Sequence, residues 1–426
     1  MARRFKLPGG VATCIGAAAF LCLAGSASAS RARGVVPSVQ AVASGLNSPK
    51  HLSFGPGGLY IAQSGTGGPT GSNCVAGIGV TGAPTTFCEG PTGSVAVLTR
   101  FGVRMALSGL PSVTEQDNQE TLGPADVAFM GHGFFGHGFG HHELKGHNRF
   151  GHPRLAVLFQ DLLVQPDGTS GTPPAASTTF GKLLLANPFN PTAGPTLANL
   201  AGFASAHPQD PATLGGLGET TYDSDPYDIT PYRGGFAIAD AAANAVLWLS
   251  PHGRLSLITR LPTVPETVPA GVLGPTAMTI DAQAVPTSIA VGRGGALYVG
   301  TLRGIPSLPG TADVYRVVPG RAPVAAVTGL TTVTDVAFDH QGRLLVLEYN
   351  TGGLLAPPTT PGALLRVQLH GPGAPVVTTL PVTGLFSPTG LAVSPGRDGA
   401  VYLANHGTSQ GTATPSGELL KITGLG

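Results

Sequence analysis

The stretch from Val285 to Leu330 restricts the fold more than any other part of the chain. It reads VPTSIAVGRGGALYVG, then a Gly/Pro-rich loop, then ADVYRVVPG, then APVAAVTGL. Four short apolar runs are each ended by Gly or Pro. The first follows Pro286, the second is Ala296–Val299, the third is Val314–Val318, and the fourth, Val324–Val327, leads into Gly329-Leu330. Short runs rich in β-branched and aromatic residues, bounded by turn formers, read as strands. Four consecutive antiparallel strands in about 40–50 residues make one propeller blade.

The unit recurs. Its anchor is a Pro with an apolar pair three to five residues on: Pro49-Lys50-His51-Leu52, Pro124-Ala125-Asp126-Val127, Pro226-Tyr227-Asp228-Ile229, Pro286-Thr287-Ser288-Ile289 and Pro388-Thr389-Gly390-Leu391. Val333-Thr334-Asp335-Val336 is the same unit without the Pro. A second strand follows most anchors, at Leu59–Ala62, Phe236–Ala239, Leu297–Gly300, Leu344–Leu347 and Val401–Ala404. Six units predict an all-β, six-bladed β-propeller. Stacked blades share one continuous core, so 426 residues need not divide into several domains.

Composition agrees. Only 11% of residues are charged, against about 25% in ordinary globular chains. The 64 Gly and 39 Pro residues supply turns for many short strands. No basic stripe is present, which argues against nucleic acid as a partner.

Residues 1–29 have the form of a secretory signal peptide. Arg3, Arg4 and Lys6 precede the apolar run Val11–Ala24, and Ala27-Ser28-Ala29 is an A-x-A cleavage site. The apolar run is short for a membrane span, and no other run is long enough to cross. The expectation is a secreted, monomeric protein with 30–426 as one propeller domain. Without the leader's three basic residues, twenty basic face 22 acidic residues, a net charge of about −2. Val35–Ala43 is a lone strand resembling the fourth strand of a blade, and the last unit, 388–422, has only three strands. Pairing the two closes the ring and removes its open edges.

Cys74 and Cys88 are the two cysteines that follow the leader. Export makes a disulfide between them the expected state; a free thiol pair and half a zinc site are the rival readings. Residues 131–152 read GHGFFGHGFGHHELKGHNRFGH. His132, His137, His142, His147 and His152 recur every five residues, with His141 extra. A period of five matches neither a helix nor a strand, so no single face collects these side chains. The stretch is a Gly-rich insertion that either binds nothing or chelates Zn²⁺, Ni²⁺ or Cu²⁺ with low selectivity. A second insertion, Pro166–Thr179, is rich in Gly, Ser, Thr and Pro. Both interrupt unit two. A short helix is expected at Leu197–Ala206, and Trp248 reads as a core residue of the strand Ala245–Leu249.

Two motifs carry little. Gly407-Thr408-Ser409-Gln410-Gly411 matches a hydrolase elbow, but that motif needs a following helix, and Thr-Ala-Thr-Pro-Ser-Gly does not start one. Asp223-Ser224-Asp225-Pro226-Tyr227-Asp228 lacks the Gly and distal Glu of an EF-hand loop. Its acids read as turn caps, Asp228 excepted.

The anchors hold the stronger pattern. Two residues after each anchor start stand His51, Asp126, Asp228, Ser288, Asp335 and Gly390. The first strand of each propeller blade lines the central channel, so the six form one ring. Asp126, Asp228 and Asp335 then share one mouth, where gathered carboxylates favour a cation. Oxygen ligands favour Ca²⁺, and His51 admits a softer metal. The alternative keeps each acid on backbone N–H groups at its own blade entry.

The segments GLNSPKHLSFGPGGLYIAQSG, GPADVAF, VPTSIAVGRGGALYVG, VTDVAFDHQGRLLVLEY and SPTGLAV…VYLANHGTSQG resemble the ScyD/ScyE family of exported proteins over roughly residues 35–426. The resemblance includes the Cys74/Cys88 loop and excludes the His-rich stretch. It implies an exported six-bladed propeller and carries no catalytic residues. More distantly the repeats are similar to NHL and gluconolactonase-type propellers, whose enzymes hold an axial metal with Glu, Asn and Asp. A full set of those ligands does not align here. Three functions follow as expectations: a non-catalytic extracellular binding or scaffold protein for an unnamed small molecule or protein; a metal-dependent lactonase or hydrolase with an axial metal; and a metal-sequestering protein that uses the histidine stretch.

Overall fold

A computed structural model describes residues 37–69, 73–78, 84–115, 120–130, 154–161, 179–187, 190–211, 214, 221, 223–369, 374–408 and 416–425. The leader, both insertions up to Thr178 and Ser409 therefore lie outside the described residues.

Six antiparallel sheets follow one another around an axis. Blade 1 is Pro49–Gly55, Gly58–Gln63, Pro84–Thr99 and Gly102–Glu115, with Cys74–Ile78 and Thr121–Leu122 at its margins. Blade 2 is Pro124–Met130, Arg154–Phe159, Lys182–Asn187 and Asn190–Asn199. Blade 3 is Pro226–Tyr232, Gly235–Asp240, Ala245–Leu249 and Leu255–Arg260. Blade 4 is Pro286–Val291, Leu297–Thr301, Ala312–Val317 and Val324–Leu330. Blade 5 is Val333–Phe338, Leu344–Glu348, Ala363–Gln368 and Val376–Thr379. Blade 6 is Gly390–Val393, Val401–Asn405 and Gly417–Thr423, completed on its outer side by Ser38–Leu46 from the other end of the chain. The innermost strands contact one another in sequence, and Pro49–Gly55 borders both Pro124–Met130 and Gly390–Val393. The ring is closed.

The closing strand starts three residues later than the sequence pattern placed it. Its register runs from Ser38 opposite Thr423 to Leu46 opposite Gly417. The helix is also shorter than expected, Leu200–Ala206, because residues 197–199 finish the outer strand of blade 2. Asn199 caps it, its side chain accepting from the Gly202 N–H at 2.9 Å. A two-stranded hairpin, Val264–Val268 with Met278–Ala282, is inserted between blades 3 and 4.

Apolar side chains fill each gap between neighbouring blades, giving one cluster per interface among the described residues and two small satellites. Tyr60, Val95 and Leu107 of blade 1 face Val127, Leu155 and Val157 of blade 2. Leu46, Leu59 and Ile61 meet Ala404 and Leu419 where blade 6 meets blade 1. Second strands such as Gly235–Asp240 and Leu344–Glu348 are buried at every position. Both their faces are covered, so their sequences are almost continuously apolar rather than alternating. The outermost strand Val376–Thr379 is exposed throughout. Trp248 is only partly buried against the cluster between blades 3 and 4, and its indole N–H donates to the Tyr232 carbonyl at 3.4 Å.

First strands begin, and second strands end, at the same face of the ring. The connections from second to third strands and from blade to blade therefore gather there. They include the Cys74–Cys88 hairpin, the 264–282 hairpin and residues 302–311 and 349–362. The opposite face carries tight turns such as 56–57, 100–101 and 233–234. Met130 and Arg154, which flank the histidine stretch, pair at that opposite end of blade 2. Cys74 and Cys88 are disulfide-bonded, with an S–S distance of 2.05 Å.

Removal of Ser38–Leu46 uncovers the Gly417–Thr423 edge and the side chain of Leu419 and takes away Leu46, which packs with it. The truncated protein is expected to lose at least about 3 kcal/mol, the burial of two leucines, and to aggregate. Calorimetry and size-exclusion chromatography check this; unchanged melting and monodispersity refute the closure.

Candidate functional site

The six ring residues occupy one structural position. In blades 1 to 5 the pairing between first and second strands shifts register at this point, at Pro49/Leu52, Pro124/Asp126, Pro226/Asp228, Pro286/Ser288 and Val333/Asp335. A bulge bends the strand and re-aims the side chain. It directs the residue after the anchor, and the one following, toward the axis and the next blade.

The aspartates do two things at once. Each accepts a backbone N–H from the next blade, and Asp126 and Asp335 also accept one at their own blade entry. Asp126 Oδ1 accepts from Val127 at 2.6 Å and Oδ2 from Ile229 of blade 3 at 3.1 Å. Asp228 Oδ2 accepts from Ile289 of blade 4 at 2.6 Å. Asp335 accepts from Val336 and from Leu391 of blade 6, both at 2.6 Å. They also converge. Ligand atoms of His51, Asp228 and Asp335, all buried, lie within 4.8 Å of one another. His51 Nδ1 is 3.2 Å from Asp335 Oδ2. Asp126 is not in this group; it shares a hydrogen bond with Asp228 instead.

The remaining ring members are small for a steric reason. A Cβ on Gly390 would lie 2.3 Å from the Lys50 carbonyl oxygen, so blade 6 has no room for a side chain against blade 1. Ser288 is fully buried.

Burial and charge set the protonation. Burial, then the charge and hydrogen bond of Asp228, push the Asp126 carboxyl well above the usual carboxylate range. Burial likewise raises Asp335, although His51 pulls against it. Burial opposes the His51 imidazolium, but Asp228 and Asp335 outweigh it and hold its pKa above the ordinary value.

Sequence reasoning missed the residues one position earlier. Blades 4, 5 and 6 place threonine there. Thr287, Thr334 and Thr389 donate to the carbonyls of Val333, Pro388 and Pro49 in the next blade, at 2.6, 3.0 and 2.7 Å. Blades 1 and 3 carry Lys50 and Tyr227 instead. Lys50 is 1% exposed and makes no hydrogen bond or ion pair among the described residues. Burial lowers its pKa, partly offset by Glu120 and Asp225. Tyr227 meets the His51 ring edge-on at 5.4 Å. His51 of blade 1 and Tyr227 of blade 3 thus meet at the loop-bearing face. The available signal was the anchor itself, where Thr-Thr-Thr in three units contrasts with Lys, Ala and Tyr in the others.

No protein-family model and no curated protein matches the chain. Solved structures do. A glucose-dehydrogenase-like oxidoreductase from Thermus thermophilus matches with a TM-score of 0.50 and 16% identity, covering 91% of this chain and 99% of that one. The PQQ-bound aldose sugar dehydrogenase of Streptomyces coelicolor matches at 0.47 and 12%, covering 91% and 98%. A gluconolactonase-like protein matches at 0.45 and 10%, covering 92% and 94%. At these identities the likeness is one of fold. The chain is a six-bladed β-propeller, and its fold is like that of the Thermus thermophilus oxidoreductase.

Two outcomes are expected at the ring. Gly390→Ala should destabilise by about 1–3 kcal/mol, as overpacking does, whereas Gly274→Ala, with nothing within 4 Å of the added Cβ, should change stability by less than about 0.5 kcal/mol. Urea denaturation measures both. The second concerns pH. Burial, with Glu120, Asp240 and Asp161, raises the Asp225 carboxyl well above the usual range. The native state therefore keeps a proton that the unfolded chain releases near about pH 4. The associated stability is present at low pH and is lost as pH rises from about 4 through the raised value. Asp225→Asn should flatten the decline in melting temperature above about pH 5; an unchanged slope contradicts this.

Proposed function

We propose that the chain is an exported, monomeric, non-catalytic binding propeller of ScyD/ScyE type, which takes an extracellular small molecule or protein segment at the loop-bearing mouth of its axis. One observation carries this reading. The threonine position that ties blade to blade is given over, in blades 1 and 3, to Lys50 and Tyr227 beside the axial cluster. Blades 1, 2 and 3 all lack that threonine; where blade 2 has only Ala125, Lys50 and Tyr227 bring a cation and an aromatic ring, the chemistry of ligand recognition. The disulfide-tied hairpin on the same face supports a preformed binding surface. The resemblance to exported proteins, the leader sequence and the disulfide all agree with export.

A second reading has its own observation. His51, Asp228 and Asp335 converge beside Asp126, whose raised pKa equips it to give up a proton. That combination suits a metal-dependent lactonase or hydrolase. The third reading, metal sequestration by the histidine stretch, rests on residues outside those described.

A thermal-shift screen of sugars, sugar acids, aromatic acids and peptides tests the first reading. At least one compound should raise the melting temperature, and Lys50→Met or Tyr227→Phe should weaken its binding about tenfold or more. 4-Nitrophenyl acetate and dihydrocoumarin should not be hydrolysed above background. Turnover that disappears in Asp228→Asn would overturn the non-catalytic reading in favour of the second.

A further inference from the structure

We propose that His51, Asp228 and Asp335 form a mononuclear site for a divalent cation of the zinc class, with a coordination position left open to a ligand. This deepens the binding reading by naming the ion beside the ligand mouth, and it rests on that reading.

The arrangement follows from blade order. The three residues come from blades 1, 3 and 5, so they approach the axis from alternate directions around the ring. The intervening blades supply Asp126, Ser288 and Gly390. Asp126 is held by Val127, Ile229 and Asp228, Ser288 is short, and Gly390 has no side chain. The ring thus alternates three converging donors with three residues that leave them room. Three atoms no more than 4.8 Å apart lie within about 2.8 Å of a common point. Small side-chain rotations reach the roughly 2.0–2.2 Å of zinc–nitrogen and zinc–oxygen bonds.

The separation of His51 Nδ1 from Asp335 Oδ2, 3.2 Å, suits two donors on one small ion, since bonds of about 2.0 Å at a tetrahedral angle put their ends about 3.3 Å apart. An ion there takes the Nδ1 lone pair and leaves the ring proton on Nε2. The carboxylates are already oriented by the Ile289 and Leu391 N–H groups, the outer-shell support that ligating groups require. One imidazole and two carboxylates are a mixed donor set. It favours zinc-class ions over Ca²⁺, which takes six to eight oxygens, so the Ca²⁺ expected from a three-carboxylate ring gives way. Three protein ligands leave a tetrahedral ion one position for a ligand oxygen.

The test uses the full chain with His132, His137, His141, His142, His147 and His152 replaced by Gln, so that the insertion contributes no sites. After dialysis against chelator, Zn²⁺ and Co²⁺ are titrated and bound metal is counted by mass spectrometry. One equivalent of Zn²⁺ per chain is expected. X-ray absorption of the loaded protein should show one imidazole among oxygen ligands. His51→Gln and Asp228→Asn, checked by circular dichroism for folding, should weaken binding at least about 100-fold. No uptake by the protein with an intact triad overturns the proposal, whatever the variants do. So does coordination by several imidazoles, or unchanged affinity in folded His51→Gln. Because no organic ligand is present, failure here leaves the ligand screen to decide the binding reading separately.

Discussion

The structure depends on a belt of directional hydrogen bonds that joins blade to blade near the axis. Apolar packing between blades is strong but non-directional, and it does not by itself fix how far one blade is turned against the next. The belt does. Every junction has at least one member: Ser64 to Pro124, Asp126 to Ile229, Asp228 to Ile289, Thr287 to Val333, Asp335 to Leu391, and Thr389 to Pro49. The last of these closes the circle on the inside, as the Ser38–Leu46 strand closes it on the outside. Each bond joins buried groups, and leaving either partner unmatched costs more than the bond itself contributes. The belt therefore selects one arrangement of six sheets over neighbouring ones.

Holding the belt in place constrains the backbone just before it. Ser48, Val285, Thr332 and Ser387 each precede a first strand and have positive φ, between 42° and 55°. Valine and threonine rarely adopt that conformation, which costs on the order of 1–3 kcal/mol. In return, each of the four carbonyls accepts an N–H from the end of its own second strand, from Ser64, Leu302, Tyr349 and Gly407 respectively. The entry to the first strand and the exit from the second are thereby fixed together. That pairing aims the anchor residues at the axis.

Much of this was legible in the sequence, for a specific reason. A propeller repeats one local problem six times, so the anchor and its ring residue align without knowledge of the fold, and the missing fourth strand of the last unit shows where the N-terminal strand must go. What alignment does not give is angle. Asp126, Asp228 and Asp335 look equivalent in the sequence, yet blades 3 and 5 point their acids at His51 of blade 1, while blade 2 turns its own toward Asp228. That choice depends on blade order around the circle and on the crowding that Gly390 relieves. Lys50 and Tyr227 were passed over because each sits beside a more conspicuous residue, and only the threonine bonds show what that position does elsewhere. The helix start was misjudged because Leu197 and Ala198 satisfy an outer strand as readily as a helix.

Structural and functional demands fall on the same few positions, and their overlap limits where ligand specificity can reside. Asp228 and Asp335 bind the next blade through the same carboxylates that converge on His51. Changing either to suit a ligand also loosens a junction. Thr287, Thr334 and Thr389 are tied to the belt in the same way. Among the described residues, Lys50 and Tyr227 hold no neighbouring blade through a side-chain hydrogen bond, so changing them breaks no such bond. The connections on their face are equally unconstrained by the belt. The scaffold lines the axis with polar groups that stitch the blades, and under the binding reading proposed above the residues released from that stitching are the ones that would choose the ligand.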